Sequence, residues 1–146
     1  MAYKSLDVAN AFVSAGVPGL TPMKLQKLIY FAHGWHLALT GKPLVDEPFE
    51  AWKYGPVLRT VYFEFNHYGA NIVAQESPRG TQKLPREIVP LIDKILRRYG
   101  HYSAGTLSAL THVKDSPWSI VYAKLDGSII DDRIILADFK AVMNGR

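Results

Sequence analysis

The sequence predicts a mainly α-helical fold, a compact single-domain bundle of five to seven helices around a buried central helix at about residues 22–40, with one or two short β-strands. Its 146 residues suffice for one domain with one hydrophobic core and are few for two. Apolar residues recur at helical spacing along most of the chain, whereas strand-like alternation is confined to short runs. The stretch LQKLIYFAHGWHLAL, residues 25–39, is apolar almost all round a helical wheel, which is typical of a helix enclosed by neighbours.

The first two helices have clear boundaries in the sequence. One helix is predicted from Ser5 to about Ala15, where Gly16 ends it. Thr21 followed by Pro22 is a strong start signal, because the threonine hydroxyl can accept a hydrogen bond from the helix N-terminus and a proline in the first turn loses no helical hydrogen bond. The central helix is therefore expected to run from Pro22 to Thr40.

The middle of the chain predicts one strand, one helix and a surface excursion. Residues 49–53 alternate between apolar and polar side chains as a half-buried strand does. Pro56 is expected to begin a helix that ends at Tyr68 and Gly69. Residues 70–83 are rich in turn-forming residues and are expected to cross the surface. Within them the sequence suggests a short strand at Ile72-Val73 and turns at Ser77-Pro78 and Arg79-Gly80.

The remaining residues predict further helices and one more short strand. Proline, serine and aspartate supply the start signals, because they suit the first turn or the capping position. No internal repeat interrupts the pattern. The predicted elements are a helix from Pro85 to Tyr99, a shorter helix capped by Ser103, a helix started by Ser116-Pro117, a strand at Ile129-Ile130 and a final helix, capped by Asp131 or Asp132, that reaches Val142.

Composition and charge exclude several classes of protein. The chain has no cysteine, which excludes disulfides and thiol chemistry and fits a reducing compartment. It shows neither a signal peptide nor an apolar run of about 20 residues, so we expect a cytoplasmic protein without a membrane span. The net charge of +4 arises from scattered side chains. The nearest cluster, Lys94 with Arg97 and Arg98, is expected at a helix end, so nucleic-acid binding remains an alternative that we do not favour.

Two histidines on the central helix raise the question of a metal site. His33 and His36 lie three residues apart, close enough to share an ion, but catalytic zinc needs a third protein ligand and the HExxH pattern is absent. The helical wheel places His36 on the main apolar face and His33 on a more polar edge. We therefore expect no metal, and expect His36 to be a core histidine with hydrogen-bonded ring nitrogens.

A second alternative is a small hydrolase-like enzyme that uses His112 and Asp115. Ser103, Ser108 and Ser116 are nearby candidates for the nucleophile. No nucleophile elbow of the GxSxG type precedes a helix, and no glycine-rich phosphate loop occurs. The sequence therefore favours a protein that is not an enzyme and uses no cofactor.

Aromatic side chains near turns suggest a protein-binding surface instead. Rigid aromatic rings supply a large contact area at a low entropy cost, which makes them frequent anchors in interfaces. Some rings, Trp118 in particular, are expected in the core. The residues expected to contact a partner are Lys53, Tyr54, Arg59 and Tyr62.

Three separated motifs carry a family resemblance. LQKLIYFAHGWHLALTGKPL, then EAWKYGPV with VYFEF, and then LSALTHVKDSPWSIVY occur in an order and spacing that resembles the Panacea domain of SocA-like antitoxins and phage-associated GepA-like proteins. The resemblance covers about residues 24–122 of a domain expected to span residues 1–146. The matching positions, expected to be largely structural, are Leu25, Gln26, Lys27, Tyr30, Trp35, Leu39, Trp52, Gly55, Pro56, Val57, Leu107, Thr111, His112, Pro117 and Trp118.

The resemblance implies the antitoxin half of a two-gene toxin–antitoxin module, of the kind often found on prophages. The expected partner is the cognate toxin, bound directly, and a protease where the toxin is delivered for degradation. No catalytic residue is transferred by the resemblance. It leaves occlusion and delivery as alternatives, and the oligomeric state open.

Overall fold

Seven α-helices and a small sheet make up the fold of this computed structural model, which describes residues 2–75 and 80–145. The predicted mainly α-helical class is confirmed, with helices far outnumbering the short strands in this part of the chain. The elements are α1 (Ser5–Val13), α2 (Pro22–Thr40), β1 (Phe49–Trp52), β2 (Gly55–Val57), α3 (Arg59–Phe65) with a 3₁₀ turn (Asn66–Tyr68), α4 (Val89–Tyr99), α5 (Ala104–Thr111), α6 (Pro117–Lys124), β3 (Ile129–Ile130) and α7 (Asp132–Met143).

Helix α2 is the centre of the molecule, as the sequence predicts. Its start is fixed by Thr21, whose hydroxyl accepts a hydrogen bond from the backbone N–H of Lys24 at 3.2 Å. Gly41 ends it in a left-handed conformation, with φ of 74°. Helices α1, α4, α5 and α7 all pack around it, and Leu28 and Ile29 are fully buried. A side chain at Gly34 would collide with the Phe139 ring, so glycine permits the close approach of α7.

The sheet has three antiparallel strands in the order β2–β1–β3. In β1, Phe49 and Ala51 face the core, and Glu50 and Trp52 are half-buried. The expectation that Pro56 begins a helix is wrong, because Pro56 lies in β2 and pairs with Ala51. An edge strand tolerates proline, which cannot donate to a ladder. The helix begins after the strand, at Arg59.

Several other element ends differ from the expectations. Helix α1 ends at Val13, and the Ser5 hydroxyl donates to Glu47 at 2.6 Å instead of capping its own helix. Helix α4 begins at Val89, because the residues after Pro85 form a turn before it. No strand forms at Ile72-Val73, where Val73 N donates to Leu20 O in an isolated hydrogen bond.

The remaining boundaries follow the sequence signals. The hydroxyls of Ser103 and Ser116 and the carboxylate of Asp131 cap α5, α6 and α7, as predicted. The turn signal at Ser77-Pro78, and Arg79 of the next one, lie outside the described residues. Within the described ranges, no helix has the length and apolar character needed to cross a lipid bilayer.

Candidate protein-binding site at the first hairpin

The hairpin formed by β1 and β2 is held from one side by helix α2. The Gln26 amide donates to the carbonyl of Leu58 at 3.0 Å and accepts from the N–H of the same residue at 2.9 Å. The Lys27 ammonium donates to the carbonyl of Pro56 at 3.2 Å. Two adjacent residues of the first motif thereby fix strand β2 and the residue that follows it.

Helices α5 and α6 hold the same hairpin from the other side. The Trp118 indole N–H donates to the carbonyl of Trp52 at 2.6 Å, and the Ser108 hydroxyl donates to the carbonyl of Tyr54 at 2.8 Å. The His112 ring nitrogen Nε2 lies 3.4 Å from the carbonyl of Lys53. All three motifs of the sequence therefore meet at this hairpin, whose backbone is fixed by side chains from α2, α5 and α6.

Gly55 is required at the turn for conformation and for space. Its φ is +121°, in the region that side-chain-bearing residues rarely adopt. A Cβ atom there would lie 2.6 Å from Cε of Lys27 and 3.0 Å from Oγ1 of Thr111. Residues of the first and third motifs therefore pack directly against the hairpin backbone.

The outer side of the hairpin and helix α3 carries exposed aromatic and cationic side chains. The Tyr62 ring lies 4.8 Å from the Trp52 ring and 5.4 Å from the Phe63 ring, measured between centroids. Arg59 lies over Trp52 at 5.7 Å. We define the hairpin face by the side chains of Trp52, Lys53, Tyr54, Arg59, Tyr62 and Phe63.

The Arg59 guanidinium is oriented by a carboxylate of the central strand. It donates to both oxygens of Glu50, at 2.9 and 3.1 Å, and the Trp52 indole N–H donates to the same carboxylate at 3.1 Å. The hydrogen bond from Arg59 is the main reason why the pKa of Glu50 lies below its ordinary value. The guanidinium therefore has a defined position on the hairpin face, although more than half of its side chain is exposed.

A cleft of about 420 Å³ opens between the hairpin, α3 and the first turns of α2. Met23, Val57 and Val61 contribute apolar walls, and aromatic residues of the hairpin face line it as well. The Lys27 side chain also lines this cleft and is 1% exposed. Burial lowers the pKa of Lys27 from 10.5 to about 7. The cleft therefore combines apolar walls with a buried basic group.

Another cleft of similar volume has a different character. This cleft, of about 460 Å³, lies between α1 and α4 and includes the carboxylates of Asp7 and Asp93. It is lined by none of the motif residues. The cleft beside the hairpin is therefore the better candidate for a site that belongs to the three motifs.

The structure places the four predicted contact residues together. Lys53, Tyr54 and Tyr62 line the cleft, and Arg59 lies beside it; all four are exposed. Sequence reasoning missed Phe63, which is 61% exposed. Consecutive aromatic residues on a short helix were the available signal, because neighbouring side chains point about 100° apart and a helix packed on one side leaves part of such a pair exposed.

The histidine and serine side chains named for the hydrolase alternative form interactions with other groups of the protein. The His112 ring packs on Trp118 at 3.8 Å between centroids, and its Nδ1 lies 2.5 Å from the carbonyl oxygen of Ser108. Among the described residues, no hydrogen bond joins His112 to Asp115 or to a serine hydroxyl. The Ser103 and Ser116 hydroxyls instead cap helices α5 and α6.

The two histidines of α2 have the opposite environments to those expected. His33 is the core histidine, 1% exposed, with Nε2 2.8 Å from Asp132 and Nδ1 accepting from the N–H groups of Leu44 and Val45. His36 is half-buried and contacts the carbonyl of Lys42. The described ranges contain no group of three histidine or acidic side chains arranged to hold a metal ion.

The arginines of the nucleic-acid alternative lie in the last turn of α4, as predicted. Arg98 lies over the Trp35 ring at 4.8 Å and the Tyr99 ring at 5.4 Å. One of the two guanidinium groups is thus engaged with aromatic rings of the protein, which leaves a small basic patch on this helix end.

Comparison with known proteins agrees with these motifs. Residues 25–119 match the family described as Antitoxin SocA-like, Panacea domain. Antitoxin SocA of Caulobacter vibrioides (strain NA1000 / CB15N) is 33% identical over 112 residues, which cover 70% of this chain and 60% of that protein. The aligned region thus spans less than two thirds of the relative's length, and no solved structure matches the chain. By its three motifs and by this match, the chain belongs to the SocA-like antitoxin family with a Panacea domain.

Proposed function

We propose that this chain is an antitoxin that neutralises a toxin encoded beside it by binding the toxin directly through the hairpin face. The family match supports the antitoxin role. The observation that carries the choice of surface is the convergence of all three motifs on one hairpin, whose outer side bears exposed aromatic and cationic groups. Side chains from α2, α5 and α6 support that surface from beneath.

A fixed hairpin is physically suited to binding. Its carbonyl groups are already bonded to side chains of the surrounding helices, so little backbone freedom is lost when a partner binds. Tyr54 is 59% exposed and Phe63 is 61% exposed, and burial of such rings against a partner removes a large apolar area from water. The surface therefore has the composition of an interface centre.

Two outcomes for the bound toxin remain compatible with the proposal. In simple occlusion, the hairpin face covers the toxin's active surface and the toxin stays intact. In delivery, the complex is recognised by a protease and the toxin is degraded. Measurement of the toxin's half-life in cells with and without this chain distinguishes them, because occlusion lengthens or preserves it and delivery shortens it.

The test is co-expression of the neighbouring toxin gene with variants of the hairpin face. Phe63→Ala and Tyr54→Ala should each weaken binding and growth rescue, by about tenfold or more in Kd where the ring is an interface anchor. Leu39→Ala is the matched control, because Leu39 is also 61% exposed but lies at the opposite end of α2 from the cleft.

The outcome against the proposal is equally specific. Growth rescue without physical association, or rescue that depends on Leu39 and not on the hairpin face, would refute it. Loss of rescue in His112→Ala with complex formation unchanged would support the enzyme alternative. Each variant is first shown to be folded by circular dichroism, and only folded variants are interpreted.

A further inference from the structure

We propose that the cleft beside the hairpin is the anchor site for one acidic side chain of the toxin, whose carboxylate pairs with the Lys27 ammonium. This inference rests on the proposed antitoxin function and names the chemistry of the contact. It requires an ammonium that the protein leaves under-bonded, a cleft that accepts an anion, and a reason why the charge is retained there.

The first step is the bonding of Lys27. An ammonium group carries three N–H donors. In the described part of the chain, Nζ of Lys27 has one hydrogen-bond acceptor, the carbonyl of Pro56, and no acidic side chain forms an ion pair with it. The side chain is nonetheless 1% exposed and lines the cleft. Donors therefore remain for a group that enters from outside.

The other buried lysine of α2 forms more and shorter hydrogen bonds than Lys27 does. Lys24 is 3% exposed, and its ammonium donates to the carbonyls of Pro18 at 2.7 Å and Gly100 at 2.6 Å. Those two short hydrogen bonds give Lys24 a structural role between separate segments. Lys27 has a single longer bond at 3.2 Å. A purely structural role therefore explains the burial of Lys27 less well than the burial of Lys24.

The second step is the charge of the cleft. Lys53 lies at its rim, and no aspartate or glutamate among the described residues lines it. The Gln26 amide, also at the wall, donates to and accepts from Leu58 and carries no net charge. The two lysines therefore favour an anionic occupant over a neutral or cationic one.

The third step is the shape of the occupant. A volume of about 420 Å³ accommodates the end of one or two side chains and not a folded segment. The walls beside Lys27 are apolar and aromatic, so they suit the methylene stem of an acidic side chain that carries its carboxylate inwards. An acidic side chain on the toxin surface meets these requirements without requiring the end of the toxin chain to lie nearby.

The fourth step explains why the ammonium is retained. A buried cation without a counter-ion is unfavourable, and burial accordingly lowers the pKa of Lys27 to about 7. A carboxylate that enters the cleft stabilises the charged form of Lys27, so the unfavourable burial of the charge is offset only in the complex. The same buried group therefore makes binding selective for a partner with a correctly placed acid.

The first experiment measures toxin affinity with purified proteins. Lys27→Met removes the ammonium and keeps an unbranched side chain, and is expected to weaken the complex by about tenfold or more. Lys42→Met changes an exposed lysine just beyond the C-terminal end of α2; it is the charge-matched control and should change Kd less than about twofold. Unchanged affinity in Lys27→Met overturns this inference and leaves the proposed function intact. Failure of the wild-type chain to bind the toxin refutes the proposed function instead.

The second experiment identifies the acid on the toxin. Each exposed aspartate and glutamate of the toxin is changed to the amide, and its effect is measured against wild type and Lys27→Met. The proposal expects one position whose substitution weakens binding to wild type and has little further effect with Lys27→Met. If the coupling lies with the toxin's terminal carboxylate, or with no carboxylate, the assignment to an acidic side chain is wrong.

A third experiment needs no toxin and no variant. Hydrocinnamate and its neutral amide, hydrocinnamide, differ only in the carboxylate and present the same aromatic stem. Titration of the wild-type protein, followed by the NMR signals of the lysine side chains, should show binding of hydrocinnamate at least about tenfold tighter than that of the amide. Equal binding of the two, or binding of neither, contradicts the proposed site.

Discussion

The Gln26 side chain and the backbone of Leu58 form a two-way hydrogen-bonded clamp, 3.0 Å from the amide nitrogen to the Leu58 carbonyl and 2.9 Å from the Leu58 nitrogen to the amide oxygen. Both residues are buried. The clamp joins the central helix to the residue between strand β2 and helix α3, so it fixes the hairpin and the helix that together form the hairpin face.

Loss of this clamp should destabilise the protein. Gln26→Leu leaves the buried N–H of Leu58 without a partner, which costs about 1–3 kcal/mol, and removes one of the two hydrogen bonds to the Leu58 carbonyl, which still accepts from the N–H of Tyr62 at 3.0 Å. Chemical denaturation should therefore show a decrease in the free energy of unfolding of a few kcal/mol. Gln75→Leu, at an exposed position, is the control and should have little effect. Equal stability of the two variants would mean that the clamp contributes nothing.

The central helix gives a second prediction about stability. Leu28→Ala should lower the free energy of unfolding by roughly 2–5 kcal/mol, because Leu28 is fully buried and its truncation leaves a cavity. Leu39→Ala makes the same chemical change on the same helix at a position that is 61% exposed. It should cost less than about 0.5 kcal/mol. Similar losses in both variants would contradict the central position of α2.

The third prediction corrects the expected roles of the two histidines. His33→Ala should destabilise the protein more than His36→Ala, because it removes the acceptor for the N–H groups of Leu44 and Val45 and opens a cavity beside Phe49. His36 contacts the carbonyl of Lys42 from a half-exposed position. Thermal unfolding of the two variants tests the order, and a larger loss in His36→Ala would contradict it.

Local signals in the sequence were sufficient for both ends of the central helix and for the starts of the last three helices. The ends of α2 are set by Thr21 and Pro22 at its start and by Gly41 at its end. These signals involve only residues near each end, so they can be recognised without knowledge of the fold. The caps of α5, α6 and α7 are equally local. The first strand and the last were also predicted, because their alternating or β-branched residues are characteristic of strands.

Contacts between residues distant in the chain determine the features that the sequence did not predict. Pro56 has the local signature of a helix start, yet it lies in an edge strand because β1 offers it a partner. The helical wheel assigned His33 and His36 to the wrong environments, since α2 is enclosed on several sides and the buried edge depends on where residues 44–45 pass. Lysine is rarely buried, so the position of Lys27 beneath the hairpin had no sequence signal.

The same distinction applies to the candidate site. Lys53 and Tyr54 are exposed because they form the turn between β1 and β2, and turns lie on the surface. Their proximity to Arg59 and Tyr62 depends on how α3 packs against the hairpin. That arrangement follows from the clamp at Leu58, which connects residues 32 positions apart in the chain.

The last prediction concerns the stability of Lys27→Met as a function of pH. In the wild-type protein the pKa of Lys27 is about 7 when folded, against 10.5 in an ordinary environment. Between these values the unfolded chain holds a proton that the folded protein lacks, so the free energy of unfolding rises with pH across this window. Below about pH 7 both states are protonated, and the full cost of the buried charge is present.

Lys27→Met removes that cost, so at pH 7 or below the variant should be more stable than the wild type, by about 1 kcal/mol or more. The advantage should shrink as the pH rises towards 10, because the folded wild-type protein then holds Lys27 in its neutral form and no longer carries the buried charge, while the unfolded chain is still largely protonated. Urea denaturation of both proteins at matched pH values measures this difference, and groups common to both cancel. A variant that is less stable at every pH would show that the hydrogen bond to Pro56 outweighs the buried charge, and that Lys27 is retained for the fold. A variant that is more stable yet binds the toxin more weakly would be the expected behaviour of a residue retained for binding at the expense of stability.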